Sequence, residues 1–349
     1  RGEMNAQPAD DGEPLLLLRG VARCLCLHDE VVEAAAMTKA REDLTRELRK
    51  AGFSQAAIDA AWPSWWTEEA AASPSSRAEL RFALSRRLGL SPKPLLGERV
   101  EFFWDDTARF KHLRAQSDRE RSTIASFGIA LGQELIDATP EAGGSNWRDV
   151  KALQLRQLLL RDNDFVDLRS LMTTCWAFGI PVVHLNIVPL ATKSMHAMAV
   201  QSKGRFAILL ARKVHFPSQA AFAIAHELGH ILLKHLGDAN ALVDLEDPAE
   251  SHDEDQQERE ADDFALNLLT GTTNLIIETD RKDFNAPMLA DAATRASGRY
   301  RIEPGTIALS LAYRDGSWAR TISALKLIYG GNIAVSRDIN ELARRMLNW

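Results

Sequence analysis

Five residues constrain this chain more than any others. His226-Glu227-Leu228-Gly229-His230 lie between Ala221-Phe222-Ala223-Ile224-Ala225 on one side and Ile231-Leu232-Leu233 on the other. Apolar flanks of that length predict a buried helix from Ser218 to about Leu236. A buried helix holds imidazoles and a carboxylate only if they find partners, because desolvating them alone costs several kcal/mol or forces them neutral. Residues four apart share a helix face, with Cβ atoms about 5–6 Å apart. Two histidines so spaced can both reach one Zn²⁺ at roughly 2.0–2.1 Å. Glu227 lies about a third of a turn away, where it can address a metal-held water rather than the metal. The competing reading is a pair of hydrogen-bonded core histidines.

A catalytic zinc needs a third protein ligand and one open position. Downstream carboxylates are dense: Glu246, Glu250, Glu254, Glu258 and Glu260. Most of an acidic run is a solvated face. Glu258-Arg259-Glu260-Ala261-Asp262 stands out because Phe264-Ala265 continues it as an apolar helical face. Glu258 and Asp262 are four apart and share a side, so one can bind the metal while the other accepts the remaining N–H of a ligand histidine. Glu258 is the favoured third ligand, Glu260 the alternative, and Asp262 the partner behind a histidine. Bound zinc lowers the pKa of a water toward ~7 and polarises a carbonyl. Glu227 takes the proton and passes it to the leaving amine. A donor to the developing oxyanion is also needed, with His184, His196, Tyr300 and Tyr313 as candidates. His235 falls on the wrong face for the same metal and reads as a structural or rim residue.

The rest of the composition narrows the class. At 349 residues the chain is long enough for two or three domains. Apolar residues make up 46% and charged residues 26%, the balance of a soluble globular protein. No apolar run approaches the ~18 residues of a spanning helix, and Leu15 to Leu18 is too short for a signal-peptide core. No membrane association and a cytoplasmic location are expected. Cys24, Cys26 and Cys175 are odd in number and form no CxxC pair, which fits free thiols. A net charge of −6 gives no overall field toward nucleic acid, although basic residues crowd 81–121.

Residues 1–36 read as a lead-in. Residues 37–97 read as a small helical domain. One helix begins near Val31 and closes at Gly52; a second runs to Ala61 and breaks at Pro63. Another covers Trp65 to Ala72 and stops at Ser73-Pro74, and Leu80, Leu84 and Leu88 recur at helical spacing before Gly89. Residues 98–146 read as a helical connector, with a helix from Arg119 to Ala138 and a linker from Pro140 to Ser145. Helices are expected over 147–178, strands over Ile180 to Val188, Met195 to Gln201 and Arg205 to Arg212, and a helix from about Glu250 to Leu269. The unit 147–285 carries the metal motif, and two or three more helices complete 286–349. The class is α+β: a mostly helical chain whose small sheet packs on the motif helix.

Gly179-Ile180-Pro181-Val182-Val183, two strands, Ala225-His226-Glu227-Leu228-Gly229-His230-Ile231-Leu232-Leu233 and then Glu258-Arg259-Glu260-Ala261-Asp262-Asp263-Phe264-Ala265 follow one another in an order that resembles the ImmA/IrrE family of bacterial and phage metallopeptidases. The resemblance covers roughly 150–315, including Tyr300-Arg301-Ile302-Glu303-Pro304. It implies a gluzincin-like core, one Zn²⁺ per chain held by His226, His230 and Glu258, and Glu227 as the base. Asp262 stands where many members carry asparagine. It also implies a repressor-type helix-turn-helix domain ahead of the peptidase, which 37–97 matches in degenerate form. Trp62-Pro63-Ser64-Trp65-Trp66 replaces the usual turn and recognition helix, and suits a core or a protein contact better than DNA. The implied substrate is a helix-turn-helix repressor, cut to derepress phage, mobile-element or stress genes. The alternative implication is the toxin of a toxin–antitoxin pair, neutralised by a repressor-like antitoxin.

Overall fold

The computed structural model of the protein describes residues 39–96, 100–102, 108–111, 118–144, 146–187, 189–190, 195–244, 256–276, 283–331 and 333–348. The lead-in 1–36 and the expected helix start at Val31 lie outside them.

Among the described residues five helices come first: α1 (Lys39–Lys50), α2 (Gln55–Ala61), α3 (Glu68–Ala72), α4 (Pro74–Leu88) and α5 (Pro92–Leu96). Side-chain caps set their starts, as Ser54, Thr67 and Ser73 each accept a backbone N–H of the first turn. Thr67 therefore delays α3 past the expected start at Trp65. Gly89 ends α4 in the left-handed region at φ +67°, where a Cβ would run into the Ser126 carbonyl. Leu44, Leu48, Ile58, Leu80, Leu84 and Leu88 face inward, and Trp62 is buried with them. Trp65 and Trp66 pack half-buried on the same core.

Among the described residues the sheet has five strands in the order β1-β5-β3-β4-β2: β1 (Ala108–Lys111), β2 (Val182–His184), β3 (Ala197–Ser202), β4 (Arg205–Leu210) and β5 (Ala241–Asp244). The three expected strands are present but shorter, and β1 and β5 add to them. Central β3 pairs antiparallel with β4 and β5, whereas β2 and β1 join parallel at the two edges. The unpaired edge of β2 is closed by a side chain. Asn340 accepts the His184 N–H at 2.8 Å and donates to the His184 carbonyl at 2.9 Å, as a neighbouring strand would.

Period-two alternation divides the sheet between two cores. Met198, Val200, Ala207, Leu209, Ala241 and Val243 join the core of the N-terminal helices, whereas Ala197, Ala199, Ile208, Leu210 and Leu242 face the opposite way. The first face is covered by α6 (Asp118–Ala138). It sits close because Gly132 leaves room, a Cβ there coming 2.7 Å from Val200. The second face receives α7 (Ala152–Leu159), α8 (Leu168–Ala177), α9 (Pro217–Leu232) and α10 (Gln256–Thr270). Among the described residues four helices, rather than two or three, follow from 286 on: α11 (Ala286–Tyr300), α12 (Pro304–Asp315), α13 (Trp318–Ile328) and α14 (Val335–Leu347). The first three build their own core around Leu289, Ile307 and Leu325. Arg156 of α7 ties that group down by donating to the Leu269 carbonyl at 2.7 Å and the Arg301 carbonyl at 2.6 Å. Among the described residues no helix is long and apolar enough to cross a membrane.

Candidate metal centre

Helix α9 is buried from Ala220 onward apart from Phe222 and Ala223, so His226, Glu227 and His230 are presented inside the protein. They meet α10 at a close crossing that Gly229 permits. A Cβ at Gly229 would lie 3.2 Å from the Ala261 carbonyl oxygen and 3.2 Å from the Phe264 Cβ. Glu258 lies one turn before Ala261 on α10, and the crossing sets its carboxylate opposite the two imidazoles. The His226 and His230 Nε2 atoms are 3.0 Å apart. Glu258 Oε2 is 3.3 Å from His226 Nε2, and Glu258 Oε1 is 3.4 Å from His230 Nε2. Among the described residues these three form the one group of three placed to hold a metal ion. Glu227 is fully buried in the same turn.

Behind the ligand atoms, the two imidazoles are held differently. His226 Nδ1 is 2.9 Å from Asp262 Oδ1. A carboxylate only accepts, so Nδ1 carries the proton and the lone pair is left on Nε2. His230 Nδ1 is 2.9 Å from His235 Nδ1, whose other nitrogen is 3.1 Å from Glu260 Oε2. Glu260 thus points at His235 and not at the ligand cluster. Glu246, Glu250 and Glu254 lie outside the described residues.

The donor set fits a divalent cation. Two imidazole lone pairs and a carboxylate face one point, which is repulsive unless something positive lies between them. In the bare protein a proton has that part. Burial disfavours a charged His226, but the Asp262 and Glu258 carboxylates outweigh it and hold its pKa well above the ordinary value. Burial takes His230 the other way, down to about 4, with Glu258 opposing and the neighbouring histidines adding to the drop. Burial would raise Glu258, yet its bonds to both histidines bring it well below the usual carboxylate range.

A cleft of about 610 Å³ opens beside the cluster, between Asp262 and Leu266 of α10, Phe222 and Ala223 of α9, and Ser310 and Tyr313 of α12. Of the four candidate oxyanion donors, His196 and Tyr313 line this cleft. His184 is turned to the Arg212 carbonyl at 2.9 Å, and Tyr300 lies under the Arg299 guanidinium, 5.3 Å from the ring centre. Sequence reasoning missed the His235–Glu260 link. Its signal was present but nonlocal, because the helix was expected to run on to Leu236 and instead ends at Leu232.

Fold and site together place a group that could hold one metal ion on a helix pair under a mixed sheet. Residues 175–294 match the model of the IrrE N-terminal-like domain, a peptidase M78 domain. That stretch runs from α8 into α11 and contains every residue of the cluster, and the match supports a metallopeptidase of the ImmA/IrrE kind over about a third of the chain. No curated protein matches the chain.

Proposed function

We propose that the protein is a zinc-dependent endopeptidase of the HExxH gluzincin type. The observation that carries this is the convergence of His226 Nε2, His230 Nε2 and Glu258 beside the buried Glu227. Zinc, when bound, supplies a water of pKa near ~7 and polarises the scissile carbonyl. His226, His230 and Glu258 hold the cation, and Asp262 orients His226. Glu227 accepts a proton at its carboxylate as the peptide bond is attacked and returns it to the leaving amine nitrogen. His196 or Tyr313, on the cleft wall, donates to the developing oxyanion.

The substrate we propose is a helix-turn-helix repressor of the cell's own cytoplasm, docked with help from the N-terminal helices. The family resemblance supports this, and Trp65 and Trp66, half-buried beside the buried Trp62, suit a protein contact better than base reading. The test incubates the protein and zinc with the repressor encoded beside it and follows cleavage by mass spectrometry. Discrete cleavage is expected. Glu227→Gln, which keeps the ligands, is expected to be slower by about 10²–10⁴-fold. Intact repressor under every metal condition overturns the reading. A Glu227→Gln variant that still arrests growth would favour the toxin of a toxin–antitoxin pair instead.

A further inference from the structure

We propose that His235, held by Glu260, is a positioning residue that fixes the tautomer of His230 for metal binding. The proposal rests on the metal centre above and adds an arm to it that the motif does not contain.

The arm is built by the end of α9. Leu233 caps the helix after Leu232, and Lys234 turns left-handed at φ +64°. The His235 N–H then reaches back to the His230 carbonyl at 2.9 Å and the Lys234 N–H to the Ile231 carbonyl at 3.2 Å. This pair of bonds is a Schellman cap, in which the side chain two places past the cap folds onto the one three places before it. That contact is usually apolar. Here both partners are imidazoles, their ring centres 5.0 Å apart and both rings buried.

Hydrogen-bond direction then runs one way along the arm. The Glu260 carboxylate has no proton to give, so His235 must donate from Nε2 across 3.1 Å. A neutral His235 is left with a lone pair on Nδ1. His230 must therefore donate from its own Nδ1 across 2.9 Å. The His230 lone pair falls on Nε2, which faces Glu258 and His226. The opposite direction would leave a proton on His230 Nε2, where the cation has to bind. Asp262 does the same for His226 in one step, so both ligand histidines are oriented by carboxylates of α10, one directly and one through His235. A role in packing alone would be served by any ring of that size.

The test measures zinc affinity by competition with a chelator, alongside the melting temperature of the metal-free proteins. His235→Phe keeps the ring but has no acceptor, and is expected to bind zinc 10–100-fold more weakly. His235→Asn returns an acceptor and is expected to recover most of that loss. Glu260→Ala, at a partly exposed position, leaves the packing alone and should weaken binding in the same direction. In ¹⁵N spectra of the zinc-loaded wild type, His230 should be protonated at Nδ1 and His235 at Nε2. Wild-type affinity in both His235→Phe and Glu260→Ala, or the reversed tautomers, overturns this proposal and leaves the metal centre standing. A wild type that takes up no zinc overturns the metal centre as well.

Discussion

Glu134 on α6 carries a carboxyl group whose surroundings favour the protonated form. Burial is the main cause that lifts its pKa from an ordinary 4.5 to about 7, while Arg87 and Arg86 of α4 pull it partly back. Its Oε1 is buried and accepts no hydrogen bond. The folded pKa is thus raised above the unfolded one, so the folded protein holds this proton more tightly. That contribution is complete below about pH 4.5 and is lost as pH rises through 7. The full span corresponds to roughly 3 kcal/mol. Glu134→Gln mimics the protonated form and removes the titration. It should match the wild type near pH 4 and exceed it in stability at pH 8. Urea midpoints of the two proteins at both pH values check this; a constant difference between them would contradict it.

Between elements, the site depends on how closely α9 and α10 approach, and Gly229 sets that distance. A valine there would meet the Ala261 carbonyl, which is backbone and cannot rotate away. Overpacking of this kind costs about 1–3 kcal/mol. The expected relief is separation of the helices, which carries Glu258 away from the histidines. Gly229→Val should therefore lose zinc affinity and thermal stability together, as calorimetry of zinc binding and a melting curve would show. The helix pair was legible in sequence because its signals are local: histidines four apart, apolar flanks, and a carboxylate pair on an apolar face. Two strands of the sheet were not. β1 is Ala-Arg-Phe-Lys and β5 is Ala-Leu-Val-Asp, too short to show a period, and each exists because a distant strand pairs with it. His235 was misplaced for a related reason. Helical spacing puts it on another face, but the chain leaves the helix at Lys234 and brings the side chain back.

Across the whole molecule, the glycine-rich stretch at 140–145 looks like a place to divide the chain, yet the packing does not divide there. Both α6 and β1 precede that stretch, and both complete the sheet that follows it. One continuous core runs from Leu44 and Ile58 through Ile124 and Phe127 to Met198, Leu209 and Val243. The opposite face carries α9 with its histidines. A fragment covering 147–349 would therefore keep every proposed ligand and lose the cover of one sheet face. Met198, Val200, Leu209 and Val243, all fully buried, would meet water together. At about 25 cal/mol per Å² of apolar area, exposing four such side chains costs on the order of 5–10 kcal/mol, comparable to the total stability of a typical domain. The expected outcome is that this fragment is insoluble or binds hydrophobic dyes and takes up no stoichiometric zinc, while residues 39–349 do so. Soluble yield, dye fluorescence and metal content of the two proteins make the comparison. A well-folded, zinc-binding 147–349 would mean that the N-terminal helices lean on the sheet without supporting it.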